Sequence, residues 1–195
     1  MEADWEFEMD GDAAVIDAAW AGFVDLRLAP ERVRELAEVA AFPALGLALQ
    51  RLNGPTSSVW TAKCDFWPTL EPGTWDPDEM DAAPEEACYG TGCYIDLLPR
   101  SNQQWTFPGQ IERDCRALCA RLQTIPLRAC RVDLIVRRAW ITPNLASTGI
   151  TAYGTACGPT EASATERLAA CLSAFTAAIL VEKDAIPPKD NSTIQ

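Results

Sequence analysis

The sequence predicts an α+β fold, a two-layer sandwich with helices on one face of a sheet. Extended and helical segments follow the order strand–helix–strand, strand–helix–strand, strand–helix. Two of these units have similar lengths and acids at matching places, which indicates ferredoxin-like duplicated βαβ units with an extra strand and a C-terminal helix. Each predicted strand has one apolar and one polar face. A doubly wound parallel sheet, the rival architecture, would instead show continuous apolar strands.

The length of 195 residues suits one domain, which we place over residues 1–185, with a disordered tail over 186–195. The predicted elements follow in chain order: an N-terminal hairpin over 5–17, unit one over 22–67, an acidic Pro- and Gly-containing loop over 68–87, unit two over 89–141, and an added strand and helix over 149–182. At about 20 residues the acidic loop is long for a compact domain. Loops of this kind are often lids or binding loops.

Three fragments of similar sequence lie in predicted strands: "FVDLRL" from Phe23, "YIDLLP" from Tyr94 and "RVDLIV" from Arg131. Each contains an aspartate, a residue that strands normally disfavour. Alternation of side chains along a strand resolves this conflict, because it directs each aspartate away from the apolar side. The three aspartates are therefore expected on one shared polar sheet face.

The same alternation assigns further charged and aromatic side chains to this face. Its predicted members are Asp25, Arg27, Lys63, Asp65, Asp96, Arg131, Asp133 and Arg137, interleaved with Trp67, Tyr94 and Tyr153. In a ferredoxin-like sheet the first and third core strands form the central pair, so Asp25 and Asp96 are expected to be neighbours. Two adjacent carboxyl groups share a proton, bind a cation or pair with basic groups.

The charge balance excludes several classes of partner. The formal net charge is −12 and the pI is about 4.4, whereas binding to nucleic acid or to an anionic membrane surface requires clustered Lys and Arg. The acidic start of the chain lacks the basic region of a signal peptide, and no apolar run is long enough to span a bilayer. These features predict a cytoplasmic protein.

The chain has eight cysteines and no histidine. The absence of histidine excludes Ser-His-Asp and Cys-His catalysis and mixed Cys/His zinc sites, and the sequence indicates no metal and no identifiable cofactor. Free thiols are the default for a cytoplasmic chain, and the spacing of Cys115 and Cys119 is that of a buried helical stripe. Cys157 differs, because it ends a predicted strand just before a helix N-terminus. It is therefore a candidate nucleophile.

Two functional hypotheses follow, alongside the simpler interpretation of a solvated face whose charges pair across strands. In the first, the polar face binds a small polar molecule or catalyses its conversion. Its acid/base or cation-binding groups would be Asp25, Asp65, Asp96 and Asp133, and its ligand contacts Lys63, Arg137, Arg27, Trp67, Tyr94 and Tyr153. In the second, a non-catalytic inhibitor or accessory subunit docks a basic protein through this surface. The face is also a candidate homodimer contact. The sequence alone leaves open whether the protein is an enzyme.

Overall fold

The computed structural model describes residues 1–9, 14–18, 20, 22–101, 105, 108–142 and 145–180. The strands within these ranges are β1 (Glu2–Glu8), β2 (Ile16–Asp17), β3 (Val59–Trp67), β4 (Tyr89–Pro99), β5 (Cys130–Thr142) and β6 (Leu145–Gly158). The α-helices are α1 (Ala37–Ala41), α2 (Pro43–Leu52), α3 (Pro108–Gln123) and α4 (Glu161–Leu180), and short 3-10 helices cover Pro30–Glu35, Asp78–Met80 and Pro84–Glu86. The predicted tail over 186–195 and the last two residues of the predicted 149–182 unit lie outside the described residues.

The strands form one mixed six-stranded sheet, so the predicted α+β class is confirmed. The strand order is β1-β5-β6-β4-β3, and β2 pairs with β5 beyond the end of β1. β1 and β2 both run parallel to β5, whereas the β3–β4, β4–β6 and β5–β6 pairs are antiparallel. Because β1 and β2 run in the same direction along one partner, they are not the two strands of the predicted hairpin over 5–17.

The strand order also differs from the ferredoxin-like order. The strand predicted as an addition to the core is β6, and it lies between β5 and β4 at the centre of the sheet. It therefore takes the place that the ferredoxin-like arrangement gives to a first core strand over residues 22–28.

Residues 22–28 contain no strand and end in a turn that begins at Asp25, so the strand predicted there is wrong. The carbonyl of Asp25 accepts hydrogen bonds from the N–H groups of Leu28 and Ala29 at 3.1 and 3.0 Å. The Asp25 carboxylate accepts a third from the Arg27 N–H at 3.0 Å. Aspartate readily bonds the backbone two residues ahead, and this local bonding competes with strand pairing. Unit one thus lacks its first strand, and with it the predicted pairing of Asp25 and Asp96.

Helices pack against one face of the sheet and form the main core. Alternate residues of the central strands face them, including Ile95 and Leu97 of β4 and Val132 and Leu134 of β5. The helices contribute a matching set of buried side chains: Leu45, Leu49 and Leu52 of α2, Ile111, Cys115 and Leu122 of α3, and Leu168, Leu172 and Phe175 of α4. None of the described helices has the combined length and hydropathy that a bilayer span requires.

Among the residues that the structure describes, buried apolar clusters cover the opposite face only at its two ends. At one end Ile16, Ala18, Trp60, Leu98 and Ala139 form a small apolar cluster. At the other end Met80 from the acidic loop packs with Ala129 and Cys157. The α-helices described above contribute no residue to either cluster. The middle of this face, which we call the open sheet face, therefore has none of the described helices over it.

A β-bulge interrupts the alternation of β3. The pairing of Thr61 with Leu97 is followed by that of Cys64 with Ile95, so Ala62 and Lys63 lie together opposite Asp96. After the bulge, side chains point to the faces that alternation predicts, and Asp65 and Trp67 share the open sheet face. They fail before it, because the extra residue moves Trp60 to the open side and Thr61 to the helix side.

Candidate functional site

The ladder register brings the predicted acids and aromatics of four strands into rows across the open sheet face. One row runs Asp133, Tyr153, Tyr94 and Asp65, from β5 through β6 and β4 to β3. Asp4 of β1 extends this row beyond Asp133. Directly opposed residues of antiparallel strands have Cβ atoms about 4.5–5.5 Å apart, which is close enough for neighbouring side chains to interact.

Three aromatic rings form a continuous group on this face. The Trp67 ring lies 5.7 Å from that of Tyr94 and 6.5 Å from that of Tyr153, with the Trp67 and Tyr153 planes inclined by only 11°. The two tyrosine centroids are 5.8 Å apart. These spacings are typical of favourable aromatic pairs. The group offers an apolar platform bordered by charged side chains.

Asp96 lies in the next row and is 5% exposed, although it belongs to the open sheet face. Its carboxylate accepts a 2.6 Å hydrogen bond from the hydroxyl of Thr151 on the neighbouring strand. It forms no ion pair with any residue that the structure describes. Burial raises the pKa of Asp96, and the Thr151 hydrogen bond and the charges of Lys63 and Arg137 oppose that shift only in part. Asp96 is thus a carboxyl group held in a poorly solvated position.

Arg137 connects this carboxyl group to the aromatic group and to the sheet edge. Its guanidinium donates to the Thr151 hydroxyl and to the Tyr153 hydroxyl, both at 3.2 Å. It also donates to the carboxylate of Glu8 on β1 at 2.8 Å. A chain of hydrogen bonds therefore runs from Glu8 through Arg137 and Thr151 to Asp96. Such a chain fixes the rotamers of the groups around Asp96.

A cavity of about 370 Å³ lies at the β1 and β5 side of the open sheet face. Arg131 lines it and lies 2.7 Å from Asp133, 3.3 Å from Glu79 and 3.9 Å from Asp4. Burial raises the pKa of Asp133, while its hydrogen bond from Arg131 lowers it in part. One guanidinium thus lies among three carboxylates, which leaves negative charge in excess around this cavity.

The acidic loop over 68–87 is anchored at the end of this face. Ion pairs join its Glu79 to Arg131, its Asp81 to Arg128 and its Glu86 to Arg167. The loop also contributes the indole of Trp75, over Gly90, where a Cβ would clash at 2.5 Å. The sequence suggested a lid or a binding loop, and in this structure the loop forms a wall of the cavity through Glu79.

Two of the predicted site residues lie away from the rows of the sheet. Asp25 and Arg27 form a paired turn, in which the carboxylate lies 2.6 Å from the guanidinium. The same guanidinium stacks 3.7 Å from the ring centroid of Trp60, a cation–π contact that covers the apolar end of the face. Arg27 lowers the pKa of Asp25 by hydrogen bonding, which is the opposite of the shift at Asp96.

Cys157 does not have the exposure that a nucleophile requires. Its side chain is buried against Met80 and Ala129. Burial raises the pKa of its thiol, and the charge of Arg167 opposes that shift only in part. Cys157 is not exposed beside the helix N-terminus, because Met80 of the acidic loop covers the end of β6. Cys157 therefore lies outside the candidate site.

Sequence reasoning missed two groups that the structure adds to the site. Asp4 and Glu8 reach Arg131 and Arg137 because β1 pairs with β5. Glu2, Asp4, Glu6 and Glu8 alternate with Ala3, Trp5 and Phe7, which was the available signal for a strand with an acidic face. A third group, the hydroxyl of Thr151, reaches Asp96 because the register of β4 with β6 places the two residues opposite each other.

Comparisons with family models, curated proteins and solved structures found no match for this chain. Within the described ranges, no group of three or more acidic or cysteine side chains is arranged to hold a metal ion.

Proposed function

We propose that the open sheet face binds a small polar molecule and that Asp96 is the group that contacts it. The observation that carries this proposal is the buried Asp96 carboxyl group, which has one hydroxyl donor and no ion pair among the described residues. A poorly solvated charge weakens folding, so its presence in an otherwise solvent-facing surface is more easily explained by function than by stability.

The surroundings of Asp96 support a ligand with both a flat or apolar part and hydrogen-bond donors. The rings of Trp67, Tyr94 and Tyr153 suit stacking, and the carboxylates of Asp65 and Asp133 in the same row suit donor or cationic groups. Arg137 holds the Tyr153 and Thr151 hydroxyls in place. Ligand sites commonly combine an apolar lining with a few fixed polar groups.

The raised pKa of Asp96 also suits general acid–base chemistry. A carboxyl group is most effective in proton transfer when its pKa is moved towards neutrality. In this proposal Asp96 exchanges a proton with the bound molecule, and Lys63 and Arg137 stabilise its ionised form.

The test is a thermal melt of the full chain with a panel of amines, amino acids, nucleosides, sugars and sugar phosphates. A ligand at 100 times its Kd stabilises the protein by about 2.7 kcal/mol, or roughly 5–10 °C for a chain of this size. We expect at least one compound to shift wild type and Asp25→Asn alike but not Asp96→Asn. The Asp25 variant is a matched control, because its carboxylate lies in the turn. The proposal fails if no compound shifts wild type, or if the shift is undiminished in Asp96→Asn.

A second candidate function is supported by the acidic row on β1. Glu2, Asp4, Glu6 and Glu8 point to one side of the strand at the end of the sheet order, which suits docking of a basic protein partner rather than a second copy of this acidic chain. A stoichiometric basic partner that dissociates at high salt, together with unchanged melts across the panel, would favour this function over the first.

A further inference from the structure

A second cavity, of about 300 Å³, lies at the β3 side of the sheet. Most of its wall is apolar: Val24, Leu26 and Leu36 come from the segment between β2 and α1, and Leu49 comes from α2. Tyr94 lies at its boundary with the open sheet face. Its volume is at the lower end of the range for small-molecule pockets.

Two side chains of opposite charge line this apolar cavity. They are Lys63 of β3 and Glu38 of α1, and both are half-buried. Neither forms an ion pair with a residue in the described part of the chain, and they are not paired with each other. Charged side chains that line an apolar cavity without an ion pair are available to a ligand with complementary charges.

The local structure of β3 directs Lys63 to this place. Lys63 belongs to the bulge opposite Asp96, and bulges commonly redirect a side chain beside a binding site. Its ammonium lies 6.0 Å from the ring centroid of Trp20, another residue of the cavity wall. A lysine on an outer strand often serves to prevent strand pairing. Here the side chain lines the cavity instead.

We propose that this cavity binds a zwitterionic small molecule with an apolar or aromatic body, the chemistry of a hydrophobic α-amino acid. The ligand carboxylate pairs with Lys63, its ammonium pairs with Glu38, and its side chain packs against Val24, Leu36 and Leu49. A carboxylate without an amine is repelled by Glu38, and an amine without a carboxylate is repelled by Lys63. This inference goes beyond the proposed function and stands without it: Lys63 contributes to both sites, whereas Glu38 lines this cavity and is not part of the open sheet face.

The test is isothermal titration of the full chain with L-phenylalanine and its two single-charge analogues. These are 3-phenylpropionate, which lacks the amine, and phenethylamine, which lacks the carboxylate. Glycine is the probe without an apolar body. We expect phenylalanine to bind at least tenfold more tightly than either analogue, and glycine to give no binding at about 10 mM, where even millimolar affinities are detected.

Two variants separate the charges of the cavity. Lys63→Met keeps the length of the side chain and should lower phenylalanine affinity at least tenfold without weakening phenethylamine. Glu38→Gln should lower phenylalanine affinity to a similar degree without weakening 3-phenylpropionate. The exposed Arg51→Met and Glu31→Gln are the matched controls and should bind as wild type does. Melting temperatures of all variants establish that they are folded.

The proposal is overturned if wild type does not bind phenylalanine, or if both cavity variants weaken all three aromatic probes equally. Equal weakening would mean an apolar cavity without charge recognition. Asp133→Asn and Glu38→Gln distinguish the two sites, since the first changes only the open sheet face and the second only this cavity. Phenylalanine binding that survives Asp133→Asn but not Glu38→Gln supports this cavity whatever the outcome for the open sheet face.

Discussion

Residues 23–28 and residues 94–99 have similar sequences, "FVDLRL" and "YIDLLP", and different structures. The first is a turn around Asp25, and the second is part of β4, paired on both sides with β3 and β6. Both still bury the leucine that follows the aspartate, since Leu26 and Leu97 belong to the same core. The apolar pattern thus determines which residue points inward, but not whether the backbone at that residue forms a turn or a strand.

The neighbours of each fragment account for the difference. After Asp25 comes Arg27, whose N–H and guanidinium both bond the carboxylate, and then Ala29-Pro30 begins a 3-10 helix. After Asp96 the chain continues with Leu97 and Leu98, and Thr151 of β6 bonds the carboxylate across the sheet. The Asp25 carboxylate bonds a residue two positions away, and this local hydrogen bond closes a turn. The Asp96 carboxylate bonds a residue 55 positions away, which it meets because both lie on extended neighbouring strands.

The largest expected effects come from the buried leucines of these two fragments and of the third fragment, "RVDLIV", in β5. Leu97→Ala and Leu134→Ala should each lower the free energy of unfolding by about 2–5 kcal/mol, because the central sheet cannot collapse around the space they leave. Leu26→Ala should cost less, since the turn that carries it can relax towards the core. Urea unfolding followed by tryptophan fluorescence measures all three.

Leu28→Ala is the control, because its side chain is 84% exposed and the change should be neutral within about 0.5 kcal/mol. A loss at Leu26 as large as that at Leu134 would show that the turn is as rigid as the sheet, and would remove the distinction between the two fragments.

Substitution of Asp96 is expected to have a smaller effect on the free energy of unfolding, and to raise it rather than lower it. Its pKa is raised above 3.8 by burial, so its contribution to stability is greatest below that pH and is lost as pH rises through the folded pKa. Asp96→Asn should therefore stabilise the protein at pH 7, by about 0.5–2 kcal/mol as single stabilising substitutions do. This gain should shrink on acidification towards pH 4. Urea unfolding of wild type and Asp96→Asn between pH 4 and pH 7 measures this gain. A variant less stable than wild type at pH 7 would contradict the description of Asp96 as a poorly solvated carboxyl group.

The smallest effect is expected at Asp25. Arg27 holds its pKa below 3.8, so the pair stabilises the protein above that pH and loses this contribution as pH falls through the folded pKa. Asp25→Asn should cost about 0.2–1 kcal/mol at pH 7, in the range of partly exposed ion pairs. The cost should decrease with added salt and disappear in acid. The same urea series measures it, and a salt-independent cost would indicate that the turn hydrogen bond matters more than the charge.

Alternation along the chain was sufficient to predict the faces of β4, β5 and β6, and hence the shared side of Asp96, Asp133, Tyr94 and Tyr153. That information is local, because consecutive strand residues point to opposite sides whatever the neighbours are. The pairing of β1 with β5, the bulge at Lys63 and the central place of β6 were not predictable. Each depends on which distant segments meet, and the sequence of one strand does not encode its partner.

The central position of β6 has a consequence for biosynthesis. β1 emerges from the ribosome well before its parallel partner β5, and β5 joins β4 only through β6. In the nascent chain the apolar Trp5 therefore lacks its final neighbours until β5 has been made. Contacts so distant in sequence fold slowly. The row of carboxylates on β1 then serves as protection, because like charges keep exposed strands of neighbouring nascent chains from pairing with each other.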